Sequence, residues 1–124
     1  MLLKPLNSLI EKAIEKYLVE QVKALKGTAY KFTSPNRRGV PDRLCLFPYG
    51  LSVFVECKRP GGVLTALQDT EIKKLNSMGH RAVCVSTKEE IDDLLDEVKE
   101  DIAIRKITRA KVEDSDGETY TTVE

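Results

Sequence analysis

The chain reads as an α/β protein, a mixed β-sheet flanked by helices in the order α-β-β-β-α-β-α. Three observations predict it. Apolar residues recur at helical spacing near the start, after residue 65 and after residue 87. Two β-type runs are separated only by Pro48, Tyr49 and Gly50, a spacing that makes a hairpin and therefore an antiparallel pair. A helix then intervenes before a further apolar run, and such a crossover sets its two strands parallel.

Taken in order, Asn7 or Ser8 can cap a helix in which Ile10, Ile14, Tyr17, Leu18, Val22 and Leu25 share one face and which stops near Gly27. Thr28 to Thr33 is a short strand candidate, followed by SPNRRGVP, a loop carrying two arginines. Asp42 to Phe47 and Leu51 to Lys58 form the hairpin, and RPGG ends it. Thr65 to Met78 has helical spacing through Leu67, Ile72 and Leu75, with Gly79 as its stop. Arg81 to Ser86 is a buried strand. Thr87 caps a last helix to about Glu100, with Ile91, Leu94, Leu95 and Val98 inward and a heavily acidic outer face. Residues 1–100 are thus expected to form the domain. Residues 101–124 are a C-terminal extension in which β-branched residues around DSDG allow a small hairpin.

A length of 124 residues suits one domain, and 41% apolar with 32% charged residues describes a soluble globular protein. No apolar run approaches the roughly 20 residues of a membrane span, and Lys4, Pro5 and Asn7 break the N-terminus where a signal peptide would be apolar, so a cytoplasmic location is expected. Cys45, Cys57 and Cys84 lie in β-type runs without CxxC spacing and are read as buried thiols. His80 is the single histidine, which removes every scheme needing a His pair as metal ligands and leaves little for a Ser-His-Asp triad. The formal net charge is zero, yet Lys23 to Pro60 holds eight Lys or Arg against two acids, while Glu89 to Glu124 holds five against thirteen. A basic middle is the footprint of a phosphate-binding surface that the whole-chain charge conceals.

Those charges have a chemical use. Residues two apart on a strand face the same way, so Glu56 and Lys58 share a side, and Asp42 at the start of the partner strand lies level with them. Two carboxylates and an ammonium converge. With the backbone carbonyl of Cys57 they make a hard oxygen site for Mg²⁺ or Mn²⁺, ions that keep several waters and bind phosphate oxygens. Lys58 can hold the attacking water or steady charge on the phosphate. Glu11 and Glu15 both lie beside the apolar stripe of the first helix, about 50° and about 90° from its centre at 100° per residue, and the helical wheel does not choose between them. Gln68, after the PGG turn, can reach back to orient Lys58 or a phosphate. Lys31, Arg37, Arg38 and Arg43, with Arg59 beside them, bracket the acids as phosphate contacts that position a nucleic acid without reading bases. With three Phe and four Tyr, the chain offers no aromatic stacking platform.

From about Ile14 to Ile91 the segments IEKYLVEQVKALKG, KFTSPNRRGVPDRL, VFVECKRPGG followed by LTALQ, and LNSMGHRAVCVS stand in the order and spacing of a known family. The chain resembles the VRR-NUC group, virus-type replication-repair nucleases of the PD-(D/E)xK superfamily, in its stand-alone phage or bacterial form. The resemblance implies a restriction-endonuclease-like core. It also implies a catalytic set of Glu15, Asp42, Glu56, Lys58 and Gln68, with Mg²⁺ or Mn²⁺ held by Asp42, Glu56, the Cys57 carbonyl and Glu15. Cys57 stands where the family often has an aliphatic residue, which matters little if only its carbonyl is used. The activity implied is metal-dependent endonucleolytic hydrolysis of DNA by a homodimer acting on branched substrates such as a four-way (Holliday) junction, in a bacterial or phage-infected host cell. Two rivals are a non-catalytic nucleic-acid-binding module of the same fold and a sequence-specific restriction-type nuclease. The intact acid-acid-lysine set argues against the first, and the lack of an added recognition domain against the second, although the C-terminal segment could supply one.

Overall fold

The computed structural model describes residues 3–116. The first helix, α1 (Leu3–Ala24), begins upstream of the cap expected at Asn7 or Ser8. Pro5 falls in its first turn, where no intrahelical N–H bond is lost, so proline does not delay the start. The helix ends where Gly27 donates to the Val22 carbonyl at 3.0 Å. A Cβ on Gly27 would lie 2.6 Å from the Leu46 carbonyl oxygen, so this close crossing of helix end and sheet requires glycine.

Four strands form one sheet in the order β1 (Thr28–Lys31), β2 (Arg43–Leu46), β3 (Ser52–Cys57), β4 (Ala82–Val85). The β1–β2 and β2–β3 pairs are antiparallel and β3–β4 is parallel, the mixed pattern that the hairpin and the crossover predict. The hairpin turns through Pro48–Gly50 with Tyr49 in the left-handed region at φ 63°. That conformation costs a non-glycine residue about 1 kcal/mol. Arg105 offsets it by donating to the Tyr49 carbonyl at 2.9 Å, and Arg109 lies over the Tyr49 ring at 5.8 Å.

Alternation sorts the strands into two faces. Val53, Val55 and Cys57 of β3 join Cys45, Ile14, Leu18, Val22, Ile91, Leu95 and Val98 in the core, beneath α1 and the last helix. Burying each large aliphatic side chain there stabilises by roughly 1.5–3 kcal/mol. Burial pushes the thiols of Cys45 and Cys57 up to about 12, so they act as packing groups, whereas Cys84 is only half-buried. The even-numbered residues of β3 face α2 (Ala66–Ser77). Phe54 meets the rings of Phe32 and His80 edge-on, at 5.8 and 6.1 Å. Asn76 donates to the Ala82 carbonyl and accepts from its N–H, both at 2.9 Å, fixing the corner from α2 into β4.

The last helix, α3 (Lys88–Asp116), corrects one expectation. Instead of stopping near Glu100 and giving way to a hairpin, it continues unbroken to Asp116. No glycine or proline occurs between Lys88 and Asp116 to end it, and its second half is anchored by Arg105 and Arg109 at the β2–β3 turn. The expected hairpin also drew on residues 117–124, which lie outside the described residues. Among the described residues no helix is long and apolar enough to cross a membrane.

Candidate active site

The β2–β3 register pairs Arg43 with Val55. One step further, it sets Asp42 opposite Glu56 on the face that α2 covers. The Asp42 N–H donates to Glu56 Oε1 at 3.3 Å. Glu56 is 3% exposed although it is a carboxylate. Burial, and then the charge of Asp42, push its carboxyl up to about 7, against the lowering effect of Lys58 and the Asp42 N–H. Lys58 Nζ stands 3.6 Å from Glu56 Oε2.

Gln68 closes the site from α2. Its Nε2 donates to Glu56 Oε2 at 3.4 Å. Its Oε1 accepts the Thr65 N–H at 2.9 Å, while Thr65 Oγ1 accepts the Gln68 N–H at 3.2 Å. This capping box holds the amide oxygen at the helix start and so turns the amide NH₂ to Glu56. The Thr-x-x-Gln spacing of TALQ carries that signal, and Thr65 is a contributor that the reading of single site residues missed.

One further register step sets Pro41 opposite Cys57. The N–H groups of Phe54 and Lys58 bond to β4, so by alternation the peptide groups of Cys57 point toward β2. Proline has no N–H to donate. The ladder therefore gives the Cys57 carbonyl no partner from Pro41, beside the Asp42–Glu56 pair. Among the described residues there is no group of three or more His, Cys, Asp or Glu that could hold a metal ion. Two carboxylates and a carbonyl are a sparse, all-oxygen donor set. It matches Mg²⁺ or Mn²⁺, which complete their shell with water and substrate phosphate, and does not match a closed zinc site.

Glu15 is turned elsewhere. Arg43 alternates onto the α1 face and gives Glu15 a two-pronged contact, Nε at 2.9 Å and Nη2 at 2.7 Å, with Lys31 Nζ at 3.8 Å. Glu11 lines a hollow with Lys58, Arg59 and Gly62. Of the four cations expected to meet phosphates, Arg43 is mostly buried on Glu15 and the Ala29 carbonyl, and Arg37 is paired with Glu71 of α2. Lys31 and Arg38 are exposed. Glu71, buried at 7% exposure, was not legible as a partner from sequence, because nothing local shows which distant cation reaches it.

No family profile matches the chain. It is 47% identical over 79 residues to "Putative nuclease p44" of Acyrthosiphon pisum secondary endosymbiont phage 1, an alignment covering 64% of this chain and 85% of the phage protein. A solved structure described as a VRR_NUC domain superposes with a TM-score of 0.67 at 28% identity, covering 70% of this chain and 95% of the other.

Proposed function

The chain belongs to the VRR-NUC family of nucleases, and from that premise we propose that it is a Mg²⁺- or Mn²⁺-dependent endonuclease that hydrolyses DNA phosphodiesters, selective for branched DNA and acting as a homodimer. The observation that carries this reading is the Asp42–Glu56 carboxylate pair with Lys58 and Gln68 both on Glu56 Oε2.

Asp42, Glu56 and the Cys57 carbonyl are the groups that would hold the ion. Glu15, committed to Arg43, would act from α1 through the first residue of β2, which directly follows Asp42. When bound, the ion supplies Lewis-acid activation of the phosphate and of water. The remaining work falls to the chain itself. Burial and the neighbouring Asp42 charge both disfavour an ionised Glu56, and a bound cation would offset them, which supports a cation at this pair. Gln68 holds Glu56 in one orientation. Lys58, mostly buried beside Glu56, places a fixed positive charge where the phosphate gathers negative charge, in a partly dry setting where such charges act strongly. Arg38 and Lys31 offer phosphate contacts that set the register of the duplex without reading its sequence. Preference for a four-way junction and a two-fold dimer rest on the family resemblance. The dimer also has a physical motive, because one small site reaches one strand whereas a symmetric pair reaches two.

Labelled linear, flapped and four-way DNA, each incubated with Mg²⁺, Mn²⁺ or EDTA, tests this. Cleavage confined to the divalent ions and fastest on branched DNA is expected. Binding without cleavage under every condition would favour the non-catalytic module, and cuts at one sequence in linear DNA the restriction-type enzyme.

A further inference from the structure

We infer that Arg37 and Glu71 are positioning residues of this nuclease site: their ion pair, with Gly39 seated on the first turn of α2, clamps the loop before Asp42 to the helix that carries Gln68. The inference rests on the reading of Asp42, Glu56 and Gln68 as the site.

Glu56 and Glu71 are the buried charged residues among those described, at 3% and 7% exposure. A buried carboxylate is costly unless it is paired and hydrogen-bonded. For Glu71 that pairing comes from Arg37 Nε, from a loop distant in sequence. Glu71 lies three residues after Gln68, so both project from the same side of α2. Gly39 makes the second attachment. It sits at φ +84°, and a Cβ there would lie 2.7 Å from the backbone C and O of Leu67 and 3.0 Å from the Gln68 N. Loop backbone rests directly on helix backbone, a contact no side chain can relax. From Gly39 to Asp42 the chain passes only through Val40 and the fully buried, φ-restricted Pro41. The clamp therefore ties Asp42 and Gln68 together from outside the site, on opposite sides of Glu56.

Both arginines are exposed, but the pairing of Arg37 with Glu71 assigns it a different task from its neighbour Arg38. If Arg37 instead served as a phosphate contact, Glu71 would compete with DNA for it, and neutralising Glu71 would strengthen DNA binding. As a clamp, the same change loosens the site. The two roles have opposite signs.

The test compares Glu71→Gln, Arg37→Ala, Arg37→Lys and the double variant Arg37→Ala with Glu71→Gln against wild type. It uses full-length protein, four-way DNA, and Mn²⁺ titrated calorimetrically without DNA. The clamp predicts that Glu71→Gln and Arg37→Ala each lower kcat roughly tenfold or more, as small misplacements of catalytic groups do. DNA Kd should stay within about twofold, Mn²⁺ affinity should fall, and the double variant should be no worse than either single one. Arg37→Lys should recover part of the loss. The Gln68 side-chain amide resonance should move in Glu71→Gln, which reads the clamp even if the protein cuts no DNA; absence of cutting by wild type would instead count against the proposed nuclease reading. Tighter DNA binding by Glu71→Gln with unchanged kcat and Mn²⁺ affinity would overturn the clamp, as would a Gln68 resonance that stays in place. If Arg37→Ala does not fold, Glu71→Gln, which keeps the side chain's size, decides alone.

Discussion

Glu56 is buried where a carboxylate is expensive, and the proposed metal site needs it charged. Its folded value, about 7, lies above the ordinary 4.5. The folded state therefore binds a proton that the unfolded chain releases. The associated stability is fully present below about 4.5 and is lost as pH rises through about 7. The ion-free protein should accordingly melt at lower temperature at pH 8 than at pH 5.5, and Glu56→Gln should shrink this difference while abolishing cleavage. At pH 8 the variant should be more stable than wild type by on the order of 1–3 kcal/mol, read by calorimetry in EDTA. A variant that melts well below wild type at pH 8 would mean that the buried charge is better compensated than the geometry indicates. The same proton opposes the metal. Mn²⁺ affinity should rise about tenfold per pH unit up to about pH 7 and then level off, measurable by titration at fixed ionic strength. Lys58→Ala should lose rate more than metal affinity. Glu15→Ala strands the mostly buried Arg43, so it should cost stability, by about 1–3 kcal/mol, as well as cleavage. Glu11→Ala should do neither to that extent, and the reverse order would move the helix-one role to Glu11.

The elements divide the work between holding the site and meeting the substrate. In the loop from Ser34 to Pro41, Arg38 is exposed, and Arg38→Ala should weaken binding on all DNA sequences alike and flatten the salt dependence of log Kd by about one unit of slope. A change in sequence preference would contradict a pure phosphate role. At the other end of the hairpin, Arg105→Ala should destabilise by roughly 1 kcal/mol, because the strained Tyr49 turn loses the donor to its carbonyl; chemical denaturation reads this directly. Much at this scale was legible. The order of seven elements and the PYG hairpin both follow from local periodicity and turn chemistry, which act over a few residues. The length of α3 was not, because Ile102, Ile104 and Ile107 resemble strand residues locally. What favours helix there is distant, the attachment of Arg105 and Arg109 to Tyr49. The same distinction applies within the site. Asp42, Glu56 and Lys58 follow from strand alternation and register. The partners of Glu15 and Arg37 depend on which long cation crosses to which helix, and spacing along the chain does not encode that.

For the whole molecule, one sheet with α1 and α3 on one face and α2 on the other leaves Asp42, Glu56, Lys58 and Gln68 gathered at one end of the β2–β3 pair. A single such cluster serves one strand. The solution mass should therefore be near twice the 13.9 kDa of one chain, at least with junction DNA present, with paired cuts at symmetry-related positions; sedimentation equilibrium checks it, and a monomer that still cuts both strands symmetrically would exclude the dimer. The most direct test of the site itself is the cleavage rate of Asp42→Asn on labelled four-way DNA with saturating Mn²⁺, beside wild type with Mn²⁺ and with EDTA. Wild type should cut only with the ion, and the variant, folded and still binding DNA, should be slower by a hundredfold or more. A variant that cuts at the wild-type rate, or a wild type that cuts in EDTA, would contradict the assignment of Asp42 and Glu56 as the metal-holding pair.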